Sequence, residues 1–342
     1  MKKRIGKIIL IVLASLLVLL LLLALGAYIY ANVLLDKIDR SEITGNMDLL
    51  PEEIYEGPTV DAPDSVEQME EAQKQFEEVQ KIDLQEQSGI VNILLIGSDR
   101  RGTYENGRSD SMMIVSLNYN TDKIHITSLN RAMYVCIPRN DGNRWNMLNA
   151  AYSWGGPNLL VDTVELNFRI KIDHYVVVDF TAFEKAVDKV GGVELTLTGG
   201  EAAHVQSNSG VPTAPGKQLL NGAQVRGYCQ IRALDNDFFR TNRQRTVIKE
   251  LIKKASKSDM NTLIAVANEI LPMVNTNMTN SQIISYIVRS MHMLGNTTEG
   301  HMLPIENESG KTYTGMIYVN GQEMYKVDFE TNIKALHDYI AS

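Results

Sequence analysis

Short runs rich in β-branched and other apolar residues recur through the middle of the chain. They fall at Val91–Ile96, Met112–Leu117, Lys123–Ser128, Tyr175–Val178, Val193–Leu197 and Tyr228–Ile231, and each has the length and composition of a β-strand. Between them, apolar residues return at spacings of three and four over Pro157–Phe168 and Ala182–Val190, which predicts helices, the first with proline at or near its opening position. Gly191-Gly192 then breaks the second helix before the next strand. Alternation of this kind argues for an α/β layered domain. Further helices are predicted near Asn261–Leu271, Ser281–Leu294 and Phe329–Ile340, with an extended segment at Tyr313–Val319.

One apolar run has a different scale. Ile8 to Ile29 carries no charge and is mostly Leu, Ile and Val; as a helix it spans about 33 Å, against a bilayer core of about 30 Å. It is longer than the roughly 7–15 apolar residues of a cleaved signal peptide. Lys2, Lys3, Arg4 and Lys7 precede it, while Asp36, Lys37, Asp39 and Arg40 follow with no net charge. The positive-inside rule therefore predicts a cytoplasmic N-terminus at 1–7, a single transmembrane helix at 8–30 and everything beyond on the outer side of the cell membrane. Residues 31–88 are acidic, poor in aromatics and broken by Pro51, Pro58 and Pro63. They read as an extracellular spacer, although Val66–Gln87 could form a polar helix. The main domain is expected at 89–255, with a mostly helical extension at 256–342 packed on it.

Charge sharpens the picture in one place. The 342-residue chain has a net charge of -8, yet Arg226 to Arg245 gathers Arg226, Arg232, Arg240, Arg243 and Arg245 with only Asp235 and Asp237 to oppose them. From Thr241 onward the pattern is helical, with an inward stripe at Val247, Ile248, Leu251, Ile252 and Ala255. Extended backwards, that stripe lands on Gln244, Thr241 and Arg240. An inward arginine at a helix N-terminus, where backbone N–H groups are unpaired and the dipole is positive, favours a phosphate. A solvated helix start capped by Asp237 accounts for the same residues, and both readings stand at this stage.

Two carboxylates lie on neighbouring strands. NILLIG runs into Ser98-Asp99, and Asp110 opens the following strand in GRSDSMMIV. A hairpin through Arg100–Ser109 would bring Asp99 and Asp110 to one rim, the usual address for ligands in α/β sheets. Mg²⁺ accepts one or two protein carboxylates and completes its shell with water and phosphate oxygens. Asp is equally at home at the entries and exits of turns. Arg131 follows the strand KIHITSL, and Arg232 follows YCQI, so strand ends and one helix start would direct Asp99, Asp110, Arg131, Arg232, Arg240 and Gln244 to one region. A metal pyrophosphate would satisfy acids and arginines together.

Other chemistries find no support. There is no P-loop, GSDRRG is no dinucleotide fingerprint, and neither GxSxG nor HExxH occurs. The six histidines lack ligand spacing, His174 reading as structural. Cys136 and Cys229 lie in apolar settings as small buried hydrophobes rather than a disulfide framework. Negative charge and an external location disfavour nucleic acid.

At these residues the chain resembles the LytR-CpsA-Psr family of cell-envelope proteins. The resemblance covers roughly Val91 to Ala255 and the N-terminal anchor, through NILLIGSD, GRSDSMMIVSLN, SLNRAMYVCIP, NAAYSWGGP, DHYVVVDFTAFEKAVDKVGGVEL, LNGAQ and DFFRTNRQR. It implies a layered α-β-α domain with a central mixed sheet behind a single membrane helix. It also implies a Mg²⁺-dependent phosphotransferase facing the wall of Gram-positive bacteria. Such enzymes move a glycopolymer, such as wall teichoic acid or capsule, from a polyprenyl-pyrophosphate carrier to peptidoglycan. By the same resemblance Asp99 and Asp110 would serve the metal, and Arg131, Arg232, Arg240 and Gln244 the pyrophosphate. Asp237 would orient the arginines or help activate the acceptor hydroxyl, making Arg131, Asp237 and Arg240 the catalytic set. The lipid would lie in an apolar pocket between sheet and helices.

Three positions depart from the family pattern. Gln230-Ile231-Arg232 stands where Arg-x-Arg is common, Arg131-Ala132 where Arg-Asp is common, and Phe239 replaces a small residue. The alternative these departures raise is a non-catalytic binder of lipid-linked glycans or a wall-assembly scaffold. A membrane-bound transcriptional attenuator ranks below both, because only residues 1–7 would reach the cytoplasm.

Overall fold

Alternation along two paired strands places a core on each face of one sheet. The computed structural model of the chain describes residues 22–41, 43, 64–99, 108–140, 142–232, 234, 237–305, 315–319 and 322–342, with the side chains of Asp64, Ser65, Asp99, Arg108 and Val319 left aside. The strands are β1 (Ile90–Asp99), β2 (Arg108–Asn118), β3 (Lys123–Leu129), β4 (Tyr134–Ile137), β5 (Arg144–Met147), β6 (His174–Asp179), β7 (Val193–Leu197), β8 (Gly216–Leu220), β9 (Val274–Thr276), β10 (His301–Leu303), β11 (Met316–Val319) and β12 (Gln322–Tyr325). The helices are α1 (22–35), α2 (Asp64–Val79), α3 (Leu148–Phe168), α4 (Phe180–Lys189), α5 (Gly199–Ser209), α6 (Gly222–Cys229), α7 (Asp237–Ala255), α8 (Met260–Ile270), α9 (Asn280–Ser290) and α10 (Phe329–Ala341).

The central sheet runs β10-β3-β2-β1-β6-β9. It is mixed: β1 is antiparallel to β2 and parallel to β6, and β10 is parallel to β3. Leu94, Ile96, Met112 and Ile114 point to one face and join α3 and α10 in the main core. Val91, Ile93, Val115 and Leu117 point to the other, against Tyr286 and Met293 at and beyond α9. A second core gathers around β7, α5, α6 and α7, from Val187 to Val247. The expected layered α/β architecture with a central mixed sheet is therefore present.

Several sequence expectations need correction. Tyr228–Ile231 is no strand; Tyr228 and Cys229 end helix α6. An apolar run of that length suits either element. Here Asn221 decides it, accepting a bond from the Gln224 amide while the Gln224 side chain returns one, a full capping box. The helix predicted from Pro157 does begin there: Gly155 and Gly156 leave helical geometry, and Gly156, at φ 66°, lies so close to the Ile43 carbonyl that a Cβ would collide with it. A helical stretch from Leu148 precedes that kink. The extension after 255 is more than a covering layer, because β9 and β10 close the two edges of the sheet.

The spacer expectation also fails in part. Residues 64–79 form α2, whose Phe76 and Val79 enter the main core and whose Ala72 is fully buried. Phe76 meets Trp145 edge-on at 5.2 Å and Phe329 at 5.9 Å between ring centroids. Phe76→Ala should accordingly destabilise the chain by about 3 kcal/mol, read as a lower urea midpoint. A spacer would show no change.

Residues 8–21 of the expected membrane helix lie outside the described residues. Residues 22–35 form α1, with Leu22, Leu23, Leu25, Tyr28, Ile29 and Val33 exposed. Among the described residues no helix is long and apolar enough to cross a membrane. The end of α1 is tied to the domain: Asn280 donates to Asp36 at 2.7 Å, and Arg40 donates to the Met278 carbonyl at 2.9 Å. Leu35 and Ile38 pack on Val274.

Candidate functional site

The β1–β2 hairpin carries an irregularity at the place where chemistry was expected. Gly97 pairs with Ser111 and Ser98 with Ser109, so Asp110 is the extra residue of a β-bulge. A bulge frees backbone groups from the ladder and re-aims a side chain. The freed Asp110 carbonyl accepts from Arg240 Nη2 at 3.0 Å and from Gln244 Nε2 at 3.5 Å. Its carboxylate accepts from Arg131 Nη1 at 2.7 Å and from Arg232 Nη2 at 3.4 Å, and lies 3.7 Å from Arg240 Nη1.

Asp237 supplies the second anion from the start of α7. Its Oδ1 lies 3.4 Å from Arg131 Nε and 2.9 Å from Arg240 Nε. The latter is an ion-pair contact whose alignment leaves the buried Nε without a hydrogen-bonded acceptor. Six of the seven expected residues (Asp110, Arg131, Arg232, Asp237, Arg240 and Gln244) are thus brought together, while the side chain of Asp99 lies outside the described residues. Among the described side chains three guanidinium groups face two carboxylates, with one positive charge over.

Burial distinguishes the two readings of α7. Arg240 is 2% exposed, and Thr241 and Gln244 are buried beside it, as the backward extension of the apolar stripe predicts. A solvated helix start is excluded. Burial lowers the Arg240 pKa from its ordinary value; Asp237 opposes that shift, Arg131 adds to it and Asp110 opposes it again. The balance favours any further anion that approaches.

The other arginines of the cluster do structural work. Arg226 pairs with Glu184, Arg243 with Glu201 and the Ile231 carbonyl, and Arg245 donates to the His301 carbonyl at 2.9 Å. Local density of arginine overstated the site, since only Arg232 and Arg240 of the five reach it. Arg232 reaches it from the residues after α6 rather than from a strand end, and it is the most exposed of the three, with 56% of its side chain open.

The loop after β3 holds Arg131 rigidly. Its carbonyl accepts from Asn149 at 3.2 Å, that of Met133 accepts from Leu148 at 3.0 Å, and that of Ala132 accepts from Tyr325 at 2.8 Å. The Tyr325 contact comes from the other end of the chain and has no local signal in the sequence. Ala132, where the family often has an acid, has its amide bonded to Asn130 Oδ1. Gln230 caps the C-terminus of α6, and Phe239 is 56% exposed beside the cluster. Cys136 and Cys229 are buried and free, each thiol pushed up to about 12 by that burial. His174 shares a 3.0 Å hydrogen bond with the Tyr286 hydroxyl.

A divalent metal fits this donor set only under a condition. Among the described residues no group of three or more His, Cys, Asp or Glu side chains gathers to hold one. Asp110 offers hard oxygens of the kind Mg²⁺ takes, but three arginines already share them. Mg²⁺ needs few protein ligands when phosphate completes its shell, so the residues fit a metal that arrives with a phosphate.

Comparison with known proteins adds an independent line. A family model described as the LytR_cpsA_psr family matches residues 59–336. The chain is 31% identical over 290 residues to the polyisoprenyl-teichoic acid–peptidoglycan teichoic acid transferase TagU of Oceanobacillus iheyensis, covering 80% of this chain and 83% of that one. It is 30% identical over 260 residues to the regulatory protein MsrR of Staphylococcus aureus, covering 74% and 75%. Among solved structures, protein gbs0355 of Streptococcus agalactiae superposes with a TM-score of 0.64 at 23% identity, over 74% of this chain and 87% of that one. TagT bound to LIIa-WTA superposes at 0.61 with 22% identity, over 77% and 96%; TagT of B. subtilis also superposes, at 0.59 with 23% identity, over the same shares. These likenesses concern the fold.

Proposed function

Because the chain belongs to the LytR_cpsA_psr family, we propose that it transfers a cell-wall glycopolymer from a polyprenyl-pyrophosphate carrier to peptidoglycan. In this reading Arg131, Arg232, Arg240 and Gln244 hold the pyrophosphate. The observation that carries it is the buried Arg240, converging with two further arginines on Asp110. Family membership and relatives named as teichoic acid transferases support the glycopolymer as substrate. Residues 8–30 would anchor the chain in the cell membrane with the domain outside, within reach of a lipid carrier.

The chemistry balances as a phosphoryl transfer. The acceptor hydroxyl oxygen bonds to the phosphorus on the glycan side. The bond from that phosphorus to the bridging oxygen breaks, polyprenyl phosphate leaves, and the glycan remains on the acceptor through a phosphodiester. Negative charge grows on the leaving phosphate as the bond opens, and fixed guanidinium groups stabilise it without reorganising. Arg240 would exchange its contacts to Asp237 for phosphoryl oxygens as the diphosphate enters. As the arginines turn to phosphate, the Asp237 carboxylate is released to take the hydroxyl proton. Asp110, with Asp99 on the neighbouring strand, would hold Mg²⁺, which supplies additional charge neutralisation at the diphosphate.

The test uses the full chain in detergent with a polyprenyl-pyrophosphate-linked glycan, a peptidoglycan acceptor and Mg²⁺. Release of polyprenyl phosphate together with glycan on the acceptor is expected, and chelation by EDTA should abolish both. Tight binding of the lipid-linked glycan without release would replace the enzyme with a binder, the role that Gln230 and Ala132 would suit. Turnover indifferent to EDTA would remove the metal from the scheme.

A further inference from the structure

The arginines of the cluster come from separate stretches of chain, bridged at the site by Asp110 and Asp237, and the elements that carry them are also tied together outside it. Arg131 sits in the loop after β3 and Arg240 in the first turns of α7. One residue outside the cluster touches both elements. The Tyr325 amide donates to the Ala132 carbonyl at 2.8 Å, and Tyr325 forms a parallel bridge with Met133. Its ring packs on that of Phe238, with centroids 4.9 Å apart. Phe238 is 4% exposed and lies between Asp237 and Arg240.

Tyr325 is itself held from behind. It ends the β11–β12 hairpin, in which Ile317 and Met324 are buried against Ala72 of α2 and Tyr134 of β4. The next residue, Lys326, is 3% exposed and paired with Glu71 of α2. Backing of this kind makes the hairpin a fixed strut.

We propose that Tyr325 is a positioning residue that fixes the distance between Arg131 and Arg240, its main chain holding the first and its ring the second. No group of Tyr325 is required to touch substrate. The geometry stands on its contacts alone, whereas the effect on transfer rests on the function proposed above. Loss of the ring should let α7's first turns move away from the Arg131 loop under the repulsion of like charges, opening the buried arginine to solvent.

Two readouts separate this role from general stability. The first needs no ligand: the full chain in detergent is treated with phenylglyoxal, and arginine labelling is read by mass spectrometry. Tyr325→Ala should raise labelling at Arg240 at least fivefold while Arg243, also buried on the same helix, stays protected. Tyr325→Phe, which keeps the ring and the amide, should leave Arg240 far less labelled than Tyr325→Ala does. Equal labelling of Arg240 and Arg243 in Tyr325→Ala would mean unfolding and would overturn the proposal, as would unchanged Arg240. The second readout is transfer: Tyr325→Ala should lower kcat about tenfold with less change in KM, and should add nothing in an Arg131→Ala background. Additive losses there would also overturn it. A chain that shows the labelling pattern but no transfer would sink the function and leave the strut standing.

Discussion

Arg240→Ala is expected to weaken binding of a polyprenyl pyrophosphate by about 3 kcal/mol, roughly a hundredfold in Kd. The side chain is 2% exposed, and its neighbours hold it without saturating it: Asp110 offers a carbonyl at 3.0 Å, and Asp237 sits 2.9 Å away in poor alignment. A buried guanidinium so placed has donors left for phosphate, and one or two charge-assisted hydrogen bonds account for the loss. Arg240→Lys should recover only part of the affinity, because an ammonium cannot make a planar two-pronged contact. Titration of the lipid pyrophosphate onto each variant, with melting temperature recorded on the same samples, decides the matter. A lower melting temperature with unchanged affinity would mean that Arg240 only braces the fold.

The second large effect concerns Asp110, and here the structure alters the expectation. As a rim residue serving a metal, its removal would leave the fold intact and abolish Mg²⁺-dependent turnover. In the structure its carboxylate is where three arginines meet. Asp110→Ala leaves those charges facing each other with Asp237 the remaining carboxylate among the described side chains. It should therefore lower stability by about 2 kcal/mol as well as abolish turnover. That figure is below the roughly 3–5 kcal/mol for breaking a fully buried pair, because Arg131 and Arg232 reach water. Urea unfolding and turnover at saturating Mg²⁺ measure the two parts separately. Full stability with no turnover would restore the plain metal-ligand role, and normal turnover would take Asp110 out of the site. Asp110→Asn keeps a side-chain oxygen that can accept from Arg131, so it should be the milder variant for stability.

Much of the architecture is legible because short-range physics governs it. The strands β1, β2, β3, β6 and β7 declare themselves by β-branched runs, and α4, α8, α9 and α10 by apolar spacing. The antiparallel pairing that sets Asp99 and Asp110 on neighbouring strands follows from two apolar runs close together in the sequence. The inward face of α7 is readable from Val247 back to Arg240, because helical phase persists past the point where residues turn polar. Tyr228–Ile231 escapes the same logic, since four apolar residues carry no period and a cap seven residues upstream of Tyr228 decides the outcome.

By itself, then, the sequence determined the layered α/β class, the family, the charged helix start and six residues that do converge. Each of these rests on local periodicity or on a motif contained within a few residues. Tertiary structure alone decided that α2 belongs to the core and that β9 and β10 complete the sheet. It also showed that Arg226, Arg243 and Arg245 serve the fold, and that Asp110 gathers arginines through a bulge. Tyr325 reaches the Arg131 loop across more than half the chain. The reason is the same in every case: a partner distant in sequence leaves no periodic trace, and the charge of an arginine does not say which carboxylate or carbonyl will meet it once the chain has folded.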